Sequence, residues 1–285
     1  MQAKLNGKWI RSLSMALKVM IIFVLGGCQK VINLNLVDSA PRLVVDGLIT
    51  DSIGPYRIRL SLSGSYFNQP VLPHLSGAVV IISDNTGITD SLKEPFPGIY
   101  LTSKLRGIPG RTYSLKVLTD NKVYEGSSTM FSHVDIDSLK LERSPSQKFV
   151  FGGNGGKGKL AAIHCFFKDP TEKNFYRIKV YLNDTINVIN YRLYNDQYNN
   201  GEETDIQVSR VKSGDVVRVE LLSLDSSTYE YYHTLRHLLR SNPIFGSTPA
   251  NPNTNLSNGA LGYFGACAIS SKTIVVTDSL LKELK

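Results

Sequence analysis

Glu230, His233 and His237 stand at i, i+3 and i+7 within residues 229–240, where apolar residues recur at helical spacing. On a helix this puts one carboxylate and two imidazoles along a single face, a donor set that suits zinc. The pattern is not the HExxH of zinc proteases and no further ligand lies nearby in sequence, so these side chains also read as a polar face turned to solvent. The stretch Gly153-Asn-Gly-Gly-Lys-Gly-Lys159 fits the GxxxxGK of phosphate-cradling loops. However, Leu160 stands where the magnesium-binding hydroxyl belongs and a strand-like run follows, so it reads as a flexible turn. His74, His133 and His164 are isolated, and the alternating Asp135 and Asp137 suit either a calcium site or a solvated linker. With no GxSxG elbow and no Cys/His pairing to activate a nucleophile, no catalytic residue and no cofactor are assigned.

Other residues suit binding better than turnover. In Tyr191-Arg-Leu-Tyr-Asn-Asp-Gln-Tyr-Asn-Asn-Gly201, the rings of Tyr191, Tyr194 and Tyr198 offer faces to a glycan or peptide, and the amides between them donate and accept hydrogen bonds. The same stretch also reads as a plain hairpin end. Residues 245–258 form a second polar loop with apolar anchors. Cys165 and Cys267 lie in the apolar runs Ile-His-Cys-Phe-Phe and Gly-Ala-Cys-Ala-Ile. They are candidates for a disulfide in an oxidising compartment, or for burial as small hydrophobes.

The elements that must hold these residues are almost all strands. Tyr56-Arg-Ile-Arg-Leu-Ser-Leu62 alternates apolar and polar without a break, as do residues 112–119 and Phe175-Tyr-Arg-Ile-Lys-Val-Tyr-Leu182. A period of two describes a strand with one buried face. Asp84-Asn-Thr-Gly87 and Asp120-Asn121 supply hairpin turns, because Asp, Asn and Gly tolerate left-handed backbone angles. These signals predict an all-β chain: an immunoglobulin-like β-sandwich over residues 40–132, then a second β-sandwich or barrel-like domain over 133–285. One helix is inserted at about residues 226–240, with Asp225-Ser-Ser-Thr228 at its start and Asn242-Pro243 at its end.

The amino terminus is of another kind. Lys4, Lys8, Arg11 and Lys18 precede the apolar run Val19-Met-Ile-Ile-Phe-Val-Leu-Gly-Gly27, which is too short to span a bilayer and is expected to be a signal peptide, residues 1–27. Leu25-Gly26-Gly27-Cys28 resembles a lipobox, so Cys28 is the expected lipidation site and residues 28–39 the tether. Acyl chains at that cysteine would hold the protein on a membrane. The full sequence has 32 basic and 24 acidic residues, and removing the four basic residues of the leader leaves 28 against 24. The remaining charge forms no dense run, so nucleic acid is not an expected partner.

Several segments, in order, carry a resemblance: the lipobox, Val44-Val-Asp-Gly-Leu-Ile-Thr50, Gly98-Ile-Tyr100, Gly110-Arg-Thr-Tyr-Ser-Leu-Lys-Val117, Val123-Tyr124, Asn242-Pro-Ile-Phe245 and Asn258-Gly-Ala-Leu-Gly-Tyr-Phe-Gly265. Together they resemble the Bacteroidota outer-membrane lipoproteins grouped as domain of unknown function 4249. The resemblance implies a cell-envelope lipoprotein, often produced beside TonB-dependent outer-membrane receptors, and no catalytic residues. The expected function is a non-enzymatic binding or accessory subunit in nutrient uptake, on the outer membrane. A metal-dependent envelope hydrolase and an adhesin or structural module are the alternatives. Gln29-Lys30 follows the lipobox with no acidic residue before Asp38, which leaves both the periplasmic and the outer face open.

Overall fold

The computed structural model describes residues 40–64, 72–143, 161–186, 192–197, 200–240 and 250–284. The leader, Cys28 and its tether, the glycine-rich turn at 152–158, Tyr191 and Tyr198 lie outside the described residues.

The chain is all-β. Its first part runs β1 (Leu43–Thr50), β2 (Arg57–Leu62), β3 (Val79–Asp84), β4 (Thr89–Ser91), β5 (Lys93–Phe96), β6 (Ile99–Leu101), β7 (Thr112–Thr119) and β8 (Lys122–Thr129). Then come β9 (Ser138–Arg143), β10 (Ala161–Lys168), β11 (Phe175–Leu182), β12 (Thr185–Ile186), β13 (Arg192–Asn195), β14 (Glu203–Val211) and β15 (Val216–Leu224). Helix α1 (Ser226–Arg240), β16 (Leu261–Val275) and helix α2 (Asp278–Glu283) complete it. The alternation read from sequence is realised directly in β7, where Tyr113, Leu115 and Val117 are buried between exposed Ser114 and Lys116. Asp120 and Asn121 both take positive φ, as the tight β7–β8 hairpin requires.

A nine-stranded sheet has the order β12-β11-β15-β16-β1-β2-β6-β5, with β13 also pairing β11. A four-stranded sheet, β4-β3-β7-β8, and a three-stranded sheet, β14-β10-β9, complete the set. Val45, Ile49, Ile58 and Leu60 of the large sheet share one core with Val80, Ile82, Leu115 and Val117 of the four-stranded sheet. Ile178, Val180, Val219 and Leu221 share another with Ile163, Cys165, Phe167 and Val208 of the three-stranded sheet. Each smaller sheet thus buries its apolar face against one part of the large sheet, giving two sandwiches on a common wall.

Strand β16 makes that wall continuous. Residues 262–267 and 274–276 belong to β16 and its end, and its 15 residues span roughly 50 Å at strand rise. One end pairs parallel with β1, from Val44↔Leu261 to Thr50↔Cys267; the other pairs antiparallel with β15. Phe264, Ala266 and Ala268 enter the first core, and Ile274 packs against the second. The preceding segment straps the edge of β8: Asn255 Nδ2 donates to Ser127 O (2.9 Å), and Ser257 N donates to Glu125 O (2.8 Å). The first sandwich is therefore completed by residues outside 40–132. Where one helix was expected, the described residues hold two. Thr277 caps the short α2, and Leu281 and Leu284 at its end pack on the second core. No helix among the described residues is long and apolar enough to cross a membrane.

Candidate ligand-binding cleft

Helix α1 lies on the face of the large sheet opposite the two cores. Tyr229 and Tyr232 of the helix bury with Tyr263 and Cys267 of β16 and with Leu222 and Leu224 of β15. The Tyr232 hydroxyl donates to that of Tyr263 at 2.5 Å, and the Arg177 guanidinium sits 4.1 Å from the Tyr232 ring centre. Burial raises both phenol pKa values, so these hydroxyls are neutral structural groups at physiological pH.

The start of α1 is fixed as its sequence indicates. Asp225 Oδ1 accepts from Thr228 N at 2.8 Å, the N-cap bond, while Oδ2 accepts from Thr129 N at 3.2 Å at the end of β8. One carboxylate therefore caps the helix and ties it to the first sandwich. Asp225→Ala is expected to lower the unfolding free energy by about 2 kcal/mol, the upper part of the N-cap range, because both amides lose their acceptor. Urea denaturation measures this, and a change below about 0.5 kcal/mol would contradict the double role.

Across from this helix start, the loop after β13 is held by two buried carboxylates. Asp196 Oδ2 accepts from Asn174 N (2.7 Å), and Asp169 accepts from Tyr176 Oη (2.5 Å) and Gly201 N (3.3 Å). Burial raises the Asp169 pKa, only partly offset by these two hydrogen bonds. Between loop and helix opens a cleft of about 570 Å³, within the usual range for small-molecule sites. Phe175 and Tyr229, with ring centres 4.8 Å apart, form its floor. Its rim carries amides (Asn195, Gln197, Asn200), carboxylates (Asp196, Glu230) and the Lys173 ammonium. Asn195 Nδ2 donates to the Tyr229 hydroxyl at 3.3 Å, linking rim to floor. Such a lining can donate and accept several hydrogen bonds around an apolar base. A wider groove of about 790 Å³ over β3, β7 and β8 has mainly small hydroxyl side chains and no aromatic residue in its lining.

The residues singled out from sequence fall out differently. Asn195, Gln197 and Asn200 of the 191–201 stretch reach the cleft, but Tyr194 turns to the second core, with its ring centre 6.1 Å from that of Phe167 and 6.2 Å from that of Tyr176. Its apolar ring gains more from burial than from display. His233 and His237 do meet, Nε2 to Nε2 at 3.2 Å. Burial and the neighbouring imidazole lower the His233 pKa. Glu230 does not complete a three-ligand cluster with them: two helical turns, about 10 Å of rise, separate it from His237. Of the two readings of Cys165 and Cys267, the structure has burial as small hydrophobes: they are free thiols in different cores, with no bridge between them. Burial pushes both thiols up to about 12. Asp135 and Asp137 are exposed on either side of buried Ile136.

Sequence reading passed over the partners of His164. Its Nδ1 lies 2.7 Å from Asp205 and its Nε2 3.6 Å from Glu142, so a side chain of the central strand of the three-stranded sheet meets carboxylates of both neighbours. Among the described residues this is the one group with three ligand-type atoms mutually within 4.8 Å. The two carboxylates approach opposite ring nitrogens, one from each neighbouring strand. A diagonal relation across three strands leaves no signal in the local sequence.

Comparison with curated proteins returns no match. The family model described as a domain of unknown function (DUF4249) matches residues 29–273, and the chain belongs to that family.

Proposed function

We propose that the protein is a non-enzymatic binding subunit of the bacterial cell envelope, held on the outer membrane through Cys28, whose cleft between β13 and α1 takes a short neutral glycan. The cleft is the observation that carries the reading. Its aromatic floor suits the apolar face of a sugar ring, and its amides and carboxylates suit hydroxyl groups. The lipobox supports the anchor, and the family match starts one residue after Cys28. The ordered motifs resembling Bacteroidota lipoproteins support a place beside a TonB-dependent receptor, with the bound glycan handed on for uptake.

Calorimetric titration of the full-length chain with a panel of envelope and dietary oligosaccharides, and with peptides of matched size, tests the ligand. At least one glycan is expected to bind, and a combined Asn195→Ala, Gln197→Ala variant to lose about tenfold or more in affinity, one to two hydrogen bonds' worth. Binding of peptides instead, or equal binding by the variant, would overturn the proposal.

A further inference from the structure

A second cleft lies along the same helix, toward its C-terminal end, and its chemistry is different. Arg236 and Arg240 are i, i+4 on α1 and so share a face; Arg192 approaches from β13. The three guanidinium groups surround a cavity of about 290 Å³ whose remaining lining is Ile178, Leu193, Tyr194 and Ile206. No acidic side chain is among the described lining residues.

Local structure accounts for part of this charge. Arg240 in the last turn favours the helix dipole, and Arg192 donates to Gln207 O at 2.6 Å, reaching from the large sheet to β14. That bond uses one of the five N–H donors of Arg192 and supplies no countercharge. Burial lowers the Arg192 pKa with no opposing carboxylate, the signature of a cation that has lost water without gaining an anion. Arg236 has no ion pair with any described residue. Nor do the segments that adjoin β13 and α1 in sequence, residues 187–191 and 241–249, contain an Asp or Glu to neutralise Arg192 or Arg236. Arg192 and Arg236 are like charges on an apolar cavity with no described carboxylate between them, and an anion entering there would relieve their repulsion.

We propose that this cleft is a recognition site for a small anionic amphiphile, a carboxylate or phosphate monoester head on a short apolar body. The head accepts from the Arg192 and Arg236 forks, geometry that planar guanidinium groups match in bidentate fashion. The body covers Ile178, Leu193 and Ile206. The cavity is at the small end of ligand sites, which limits the body to a short chain or a single ring. The site is separate from the glycan cleft: none of the three arginines lines that cleft, so either reading can fail alone.

The test is calorimetric titration of the full-length chain with hexanoate, hexyl phosphate, hexanol and inorganic phosphate at low ionic strength. Hexanoate or hexyl phosphate is expected to bind about tenfold or more tightly than hexanol or inorganic phosphate, and the stronger of the two identifies the head group. Arg236→Gln is expected to weaken that binding about tenfold while leaving the unfolding midpoint unchanged, since Arg236 makes no ion pair with any described residue. Arg192→Gln should weaken it similarly, with some loss of stability. Equal binding of inorganic phosphate, equal binding of hexanol, no binding of either amphiphile, or an Arg236→Gln variant that binds like the wild type would each overturn the proposal.

Discussion

Replacing Gly262 with alanine is expected to destabilise the protein by about 4 kcal/mol or more, enough to leave a substantial fraction unfolded. Gly262 has φ +87° in β16, directly opposite Val45 of β1. A Cβ there would lie 1.9 Å from Val45 O, a backbone atom that cannot move without opening the ladder. The β1–β16 pairing joins the two sandwiches into one sheet, so the damage is not confined to a loop. Gly214→Ala is the control: φ is +88° there too, but nothing lies within 4 Å of the added carbon, so only the backbone term of about 1 kcal/mol remains. Urea denaturation of both variants separates the two effects. Similar losses in the two would mean that the close approach of β1 and β16 contributes little.

Asp90→Ala is expected to cost about 3 kcal/mol or more. The Asp90 side chain is fully buried and accepts from Ser103 N, Ser103 Oγ, Lys104 N and Leu105 N, all at 2.7–2.9 Å. Removing it takes the acceptor from three backbone N–H groups at once, that of buried Leu105 among them. Burial alone would raise the Asp90 pKa, but the bonds from Lys104, Leu105 and Ser103 outweigh it and hold the carboxylate below its ordinary range. The same holds for Asp84, through Thr86, Arg111 and Ile88, and for Glu94, lowered to about 2 through Ser76, Gly77, Gly98 and Tyr100. These folded-state pKa values lie below the unfolded ones, so the stabilisation is complete above the unfolded value of roughly 4 and is lost as pH falls through the folded values. Stability measured from pH 5 to 2 should therefore fall more steeply in the wild type than in Asp90→Ala. Parallel slopes would show that Asp90 is not part of the acid response.

Much of this fold is legible one strand at a time. Residues 112–119, 175–182 and 216–224 are strands with the boundaries their alternation indicates, and Asp225 caps the helix that follows. Strands β9 and β14 are harder to read, since Ser138–Arg143 and Glu203–Val211 mix charged residues into short apolar patterns. The union of β16 with β1 is not written locally at all. Two motifs of the family resemblance, Val44-Val-Asp-Gly-Leu-Ile-Thr50 and Asn258-Gly-Ala-Leu-Gly-Tyr-Phe-Gly265, stand some 200 positions apart in the sequence yet lie side by side. Local periodicity carries no information on which distant strand is the partner. The binding region shows the same limit. The polar stretch at 191–201 points to the right loop, but Tyr194 is drawn into the second core and it is Asn195, Gln197 and Asn200 that face the cleft. The arginine cluster joins Arg192 of β13 to Arg236 and Arg240, 44 and 48 positions further on, and so has no sequence signature.

The proposal that the cleft between β13 and α1 takes a glycan is most directly tested by amide chemical-shift mapping of the full-length chain with the best-binding oligosaccharide of the panel. Shifts centred on Asn195, Asp196, Gln197, Asn200 and Tyr229 are the predicted result. Shifts centred instead on the serine- and threonine-lined groove over β3, β7 and β8, or no saturable shifts with any glycan, would contradict it.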